Sequence, residues 1–255
     1  MNLGSTSKNI NILTMLITII VILGAFNITM FTMDNIIITI VSYYVLNILG
    51  VFMTLHRYYS HKSFAFRYKW IEWLFTCIAL LAGRGSPLGW VYIHRQHHAY
   101  SDTEKDPHSP KYLGYKLFGF GHFKSQENDM QIFLVKDMMT KYQLFIHKWY
   151  IGIILLVGVI LALVSYQIFY FIWILPVFLV GISQSNFNYF GHISGYRNFE
   201  TKDDSRNNKW LFPFILGEAW HNNHHAKPKE YSTQVRSTEF DPVMYVIEIV
   251  KNERT

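Results

Sequence analysis

Long runs without charge divide the chain before any finer pattern does. No Asp, Glu, Lys or Arg occurs from Asn9 to Met33, and after Asp34 none occurs again from Asn35 to Leu55. Each run is long enough to cross a hydrocarbon core, which takes about 20 helical residues. A third charge-free run, Trp149 to Tyr196, would be roughly 70 Å long as one helix at about 1.5 Å per residue. It must fold back, and Ser165-Tyr166-Gln167 is the natural bend. The pattern therefore predicts an all-α integral membrane protein with four transmembrane helices in two hairpins, at about 10–31, 36–55, 149–164 and 168–188. Residues 56–148 and 189–255 then form a helical cap on one side, within a single domain over 1–255.

That side is set by charge. All 23 Lys and Arg fall on it, and cytoplasmic loops carry such an excess, so both termini and the cap are expected in the cytoplasm. The same sidedness accounts for the net charge of +6 through contact with anionic lipid headgroups, without nucleic acid. A signal peptide over residues 8–33 is the competing reading, and no small-residue cleavage site follows it. Between the hairpins, residues 70–93 are apolar but interrupted by Glu72 and Arg84, which predicts one Trp-rich helix lying in the membrane interface. Gly195 to Asn208 is polar and reads as a solvated turn. Hydrophobic residues make up 51% of the 255 and aromatic residues 17%, high for a soluble protein. The single cysteine, Cys77, excludes an internal disulfide.

The chemistry lies in the histidines. Of 12, eight fall in three boxes: "HRYYSH" at 56–61, "HRQHH" at 94–98 and "HNNHH" at 221–225. Side chains three and four apart share a helix face, so His94, His97 and His98 point one way, as do His221, His224 and His225. Neutral imidazole is the commonest metal ligand. His56 and His61, five apart, are about 140° apart around a regular helix. Either the helix loosens there or the two rings reach different ions. In "NYFGH", Asn188 and His192 are four apart at the expected depth of the boxes. Ten donors exceed what one zinc takes and suit two six-coordinate ions, for which nitrogen-rich sites favour iron among redox metals. No HExxH protease motif occurs. His122 and His147 read as structural or exposed residues.

Together these motifs, from about His56 to Asp241, resemble the membrane-bound fatty acid desaturases, in the branch of the stearoyl-CoA and bacterial delta-9 acyl desaturases. "HRYYSH" is similar to that family's HRxxSH box, "HRQHHAYSDTEKDPH" to HRxHHxxSxTxxDPH, "NYFGH" to NxxxH, and "GEAWHNNHH" to GExxHNxHH. The resemblance implies a di-iron centre of two Fe ions held by His56, His61, His94, His97, His98, His192, His221, His224 and His225, with Asn188 contributing directly or through water. Asp106, His108, Glu218, Asn222 and Arg95 are candidates to support those ligands or the substrate. It further implies O2-dependent insertion of a cis double bond, with delta-9 position expected, into a saturated acyl chain held in a bent apolar tunnel.

Two departures touch the acyl carrier. Ile93 stands where many acyl-CoA members have Asp before HRxHH, and "FGHFKS" stands near the place of a downstream HxGW, so acyl-CoA and acyl-lipid both stay open. Tyr44, Ile48 and Phe52 form an i+4 stripe leading to His56, expected to line the closed end of the tunnel with Tyr44 limiting chain length; packing against lipid or a neighbouring helix is the plainer reading. A di-iron hydroxylase is the sister alternative. A non-redox metal transporter would place ligands inside the spans rather than at their rim. No heme or flavin segment is evident, so electrons are expected from ferredoxin or a cytochrome b5, steered by the basic face.

Overall fold

The computed structural model describes residues 5–117 and 132–253; "FGHFKS" and His122 lie outside the described residues. Regular structure among the described residues is helical, with only isolated bridges such as Tyr196 to Asn207. The principal helices are α1 (Ser5–Ala25), α2 (Met33–Ser60), α3 (Lys69–Leu81), α4 (Pro87–Tyr100), α5 (Lys141–Val164), α6 (Ile168–Ile193), α7 (His221–Ala226) and α8 (Pro242–Val250).

Three of these, α2, α5 and α6, are long and apolar enough to cross a membrane, while the apolar part of α1, Asn9–Ala25, is shorter. The run expected over 10–31 thus ends early. Polar side chains fix the turn that follows: Asn35 Nδ2 donates to the Met30 carbonyl, and Thr32 Oγ1 accepts from the Asn35 amide as the cap of α2. Asp34 in the first turn of α2 suits the positive end of the helix dipole. The bend at Ser165 falls where the pattern placed it, but α5 starts at Lys141 and α6 runs on to Ile193. Exposed Leu155, Leu156, Val159, Leu163 and Val164 give α5 an apolar outer face suited to lipid.

Inside, α2 and α6 are joined by polar groups. Asn47 Nδ2 donates to Tyr43 Oη and Ser183 Oγ, and Gln184 Nε2 donates back to Asn47 Oδ1. Such bonds between helices hold apolar spans in register where the hydrophobic effect gives little drive.

From Val45 to Ser60, α2 is wound more widely than an α-helix, with i→i+5 hydrogen bonds. Side chains follow the same spacing: Thr54 Oγ1 donates to the Leu49 carbonyl and Ser60 Oγ to that of Leu55. The expected single helix over 70–93 is instead two. Gly83 and Gly85 adopt left-handed φ of 71° and 98°, which end α3, and Pro87 at the start of α4 forbids continuation. The break is tied down by Trp173 Nε1 donating to the Leu81 carbonyl and the Gly85 amide donating to Tyr150 Oη. Trp70 and Trp73 remain exposed on α3 as the interfacial reading expected, but Arg84 is buried in the break.

Candidate metal centre

The ends of α2 and α6, with α4 and α7, bring all nine singled-out histidines into two adjoining groups. His56, His61, His94, His98 and His224 form one; His97, His192, His221 and His225 form the other; in each, the donor atoms lie within 4.8 Å of one another. Neighbours in sequence separate, His97 from His98 and His224 from His225, because successive residues on a helix point about 100° apart. The wide winding of α2 brings His56 and His61 into the same group. The His61 amide donates to the His56 carbonyl at 3.2 Å, an i→i+5 bond, so the two rings stand about one turn apart instead of splayed. Of the two alternatives open to the sequence, the helix loosens.

The rings meet through their Nε2 atoms. His56 lies 3.0 Å from His224, His61 2.8 Å from His94, His98 3.1 Å from His224, His192 3.0 Å from His221, and His97 3.4 Å from His225. Burial, reinforced by the neighbouring imidazoles, holds His61, His94, His97, His98, His221 and His224 well below the ordinary histidine value, so these rings are neutral at pH 7.

Carboxylates then fix which nitrogen carries the proton. His97 Nδ1 donates to Asp106 at 3.0 Å, His192 Nδ1 to Asp102 at 2.8 Å and His225 Nδ1 to Asp203 at 2.8 Å. Burial raises the Asp102 and Asp203 carboxyls, but the bonds from His192 and His225 outweigh it and hold both below the usual range, as ionised acceptors. Each Nδ1 proton being committed, His97 and His225 face each other with two bare lone pairs. Two acceptors at that separation repel, and a cation between them removes the conflict. The donor set of neutral imidazoles backed by carboxylates therefore fits metal ions, and it is the usual arrangement around a histidine ligand.

Supporting residues are themselves built in. Asp102 sits at φ 59°, just past the end of α4, a left-handed position that Asp tolerates better than most residues. Glu218 Oε2 lies 2.9 Å from His56 Nδ1, and its other oxygen, 2.8 Å from Arg57, joins a buried set in which Arg57 also pairs with Asp241 at 2.8 Å. His108 stacks on His97 with ring centroids 4.1 Å apart, and burial lowers it to about 3. Asn188 is half-buried and lines a cavity of about 40 Å³ shared with His56, His94, His97 and His221.

Other candidates have different places. Arg95 donates to the carbonyls of Tyr59, Ser60 and Leu134 and pairs with Asp137, clamping α4 to the end of α2. Asn222 points away from its histidine neighbours and accepts from the Asn198 and Phe199 amides, pinning the 195–208 segment. That segment is an anchored strap rather than a solvated turn, since it delivers Asp203. Of the Tyr44, Ile48, Phe52 stripe, Phe52 lines the cavity; Ile48 is buried in the core, and Tyr44 Oη donates to the Pro213 carbonyl. His147 Nδ1 lies 2.6 Å from Ser86 Oγ, apart from both groups.

The sequence reading missed Asp102, Asp203, Arg57 and Asp241. Asp102 and Asp203 stand in polar stretches that look solvated; Asp102 follows the second histidine box by four residues, whereas Asp203 lies 18 residues before the third.

Comparison with known proteins gives a consistent result. The fatty acid desaturase family model matches residues 35–238. The chain is 30% identical over 212 residues to "Delta-9 acyl-lipid desaturase 1" of Arabidopsis thaliana, covering 80% of this chain and 68% of that one. It is 34% identical over 199 residues to "Delta-9 acyl-lipid desaturase 2" of the same plant, covering 72% and 61%. To "sn-1 stearoyl-lipid 9-desaturase" of Anabaena variabilis it is 32% identical over 200 residues, covering 74% and 70%. The chain thus spans roughly two thirds of the length of these relatives.

Proposed function

The chain belongs to the fatty acid desaturase family, and on that premise we propose that it is an O2-dependent acyl desaturase that places a cis double bond at carbon 9 of a saturated acyl chain, using two Fe ions. The observation that carries this reading is the pair of adjoining imidazole groups whose proton-free Nε2 atoms face one another. The ligands are His56, His61, His94, His98 and His224 for one ion and His97, His192, His221 and His225 for the other, with Asn188 at the cavity between them. The protein lies in the membrane with both termini and this site on the cytoplasmic side, and it draws electrons from a ferredoxin or cytochrome b5.

When bound, the iron pair supplies the O2-derived oxidant that removes two hydrogens from an unactivated CH2–CH2 unit. The chain's own residues prepare that step. Asp106, Asp102 and Asp203 each hold an Nδ1 proton, so the opposite nitrogen of His97, His192 and His225 is kept free to bind metal. Phe52 and Phe187, ring centroids 5.8 Å apart and edge to face, wall the cavity with apolar surface and exclude water beside the histidines. The cavity of about 40 Å³ is much smaller than an acyl chain, so the chain enters by displacing its apolar lining. Tyr44 is assigned the limit on chain length through its anchorage to Pro213, and Tyr44→Ala is expected to shift products toward longer chains; an unchanged profile removes that role.

The test is gas chromatography with mass spectrometry of fatty acids from a desaturase-deficient host expressing the protein or its His97→Ala form. A new cis double bond at one position, absent from the variant, supports the reading. A hydroxylated chain places the protein with the sister chemistry instead.

A further inference from the structure

Residues 209–216, between the strap and the third histidine box, carry large apolar side chains on their outer side. Trp210 is 88% exposed and Phe214 56%, while Ile215 is fully buried in the core that also holds Phe52 and Phe187. The segment hangs from α2 by its carbonyls. Tyr43 Oη donates to the Phe214 carbonyl at 2.6 Å, Tyr44 Oη to that of Pro213, and Asn47 Nδ2 to that of Phe214 at 3.4 Å.

With α2 read as a span, those anchors fix the depth of the segment. From Met33 to Tyr44, α2 has 12 residues, about 18 Å of helix. A hydrocarbon core is about 30 Å thick. If the membrane surface lay at Tyr44, α2 would fall short of crossing, so the level of Tyr44 is inside the core. Helical side chains lean toward the N-terminus, here the far side of the membrane, so the tyrosines do not lift the segment back toward water.

A second line of contacts continues the same surface. Rings run from Phe212 to Phe240 and on to Tyr245 of α8, with centroids 6.4 and 6.0 Å apart. Tyr245 and Ile249, four apart, share the exposed face of α8, where Ile249 is 76% exposed. The end of α8 is joined to the residues that lead into α3: the Arg67 amide donates to the Val250 carbonyl and the Asn252 amide to that of Ala65, both at 2.8 Å. Exposed Trp70 and Trp73 of α3 follow at once. An apolar rim of this extent, rich in aromatic rings, suits the boundary between headgroups and lipid tails.

We propose that residues 209–216 and the exposed face of α8 form a membrane-seated surface outside the spans, whose partner is the lipid leaflet on the histidine side, with Phe214 as its deepest point. One thickness of chain, Phe214 outside and Ile215 inside, then separates lipid tails from the core beside the metal centre. The proposal rests on the reading of α2 as a membrane span and is independent of the reaction at the histidines.

The test is power-saturation electron paramagnetic resonance of the iron-loaded protein in vesicles of phosphatidylcholine and phosphatidylglycerol. The exposed Cys77 is replaced by Ser. One nitroxide is then attached in turn at Phe214→Cys, at Ile249→Cys, at Ile40→Cys on the exposed side of α2, and at Glu104→Cys beyond the end of α4. A label among lipid tails collides with O2 in excess over a water-soluble nickel chelate, and a label in water does the reverse. Phe214→Cys is expected to match Ile40→Cys, Ile249→Cys to show a smaller excess of O2, and Glu104→Cys to favour nickel.

If Phe214→Cys or Ile249→Cys matches Glu104→Cys while Ile40→Cys lies in lipid, the proposal is overturned and the span stands. Few collisions with either reagent at Phe214→Cys mark a protein neighbour, such as a second copy of the chain, and overturn it as well. Water at Ile40→Cys removes the span and the proposal together. Iron content and thermal midpoint equal to those of the unlabelled protein identify a folded chain; where Phe214→Cys fails that check, Trp210→Cys reads the same segment.

Discussion

The two imidazole groups differ more in their surroundings than in their donors. Around His97, His192, His221 and His225 stand three carboxylates, each accepting one ring proton. Around His56, His61, His94, His98 and His224, Glu218 is the only carboxylate in contact with a ring among the described residues, and it is shared with Arg57. The first environment is anionic and the second nearly balanced. Carboxylates behind histidine ligands fix ring orientation and raise ligand basicity, so the two positions should hold the same ion with unequal strength.

The comparison is broken most severely by removing one ligand from each side. Replacing His98 or His221 by Ala is expected to abolish the product and to lower iron from about two to about one per chain, as read by elemental analysis beside product chromatography. If iron stays at about two in either variant, the division into groups is wrong. Next in size is Glu218→Ala, which strands Arg57 and leaves Asp241 as its sole acidic partner. Breaking a buried pair from one side costs about 3 to 5 kcal/mol, so a clear fall in the unfolding midpoint is expected, whereas an unchanged midpoint would detach this cluster from stability. The finest test is Asp203→Asn, which keeps the shape but removes the charge. It should weaken iron binding about 10- to 100-fold at the anionic position alone; equal weakening at both positions contradicts the asymmetry.

How far the sequence carried can be judged residue by residue. The three boxes announced eight histidines and "NYFGH" the ninth, and the i, i+3 and i+4 spacing of six of them survives on α4 and on the short α7. The grouping was not legible, since His56 and His61 are joined by wide winding that no hydrophobic pattern encodes. Asp102 and Asp203 were hidden for another reason. Their function depends on where the turn at φ 59° and the pinned 195–208 strap deliver them, which is a property of tertiary contacts. Arg84 read as an interruption in an interfacial helix, because burial cannot be told from interfacial exposure when the flanking residues are apolar in either case. The charge-free runs located the long helices well and their ends poorly, as capping by Thr32 and the continuation of α6 to Ile193 lie beyond hydropathy.

The wide winding of α2 also decides where the gene can gain or lose a codon. One residue deleted between Val45 and Ser60 turns everything on one side of the deletion by roughly a quarter turn against the other, and His56 and His61 are held on one side while Asn47 is fixed to α6 on the other. Upstream, in Met33–Tyr44, the buried residues are only Thr39 and Tyr43; Asn35, Ser42 and Tyr44 are half-buried and the remaining seven are exposed. Length changes are therefore absorbed near Met33, where a rotated turn exchanges one apolar surface for another.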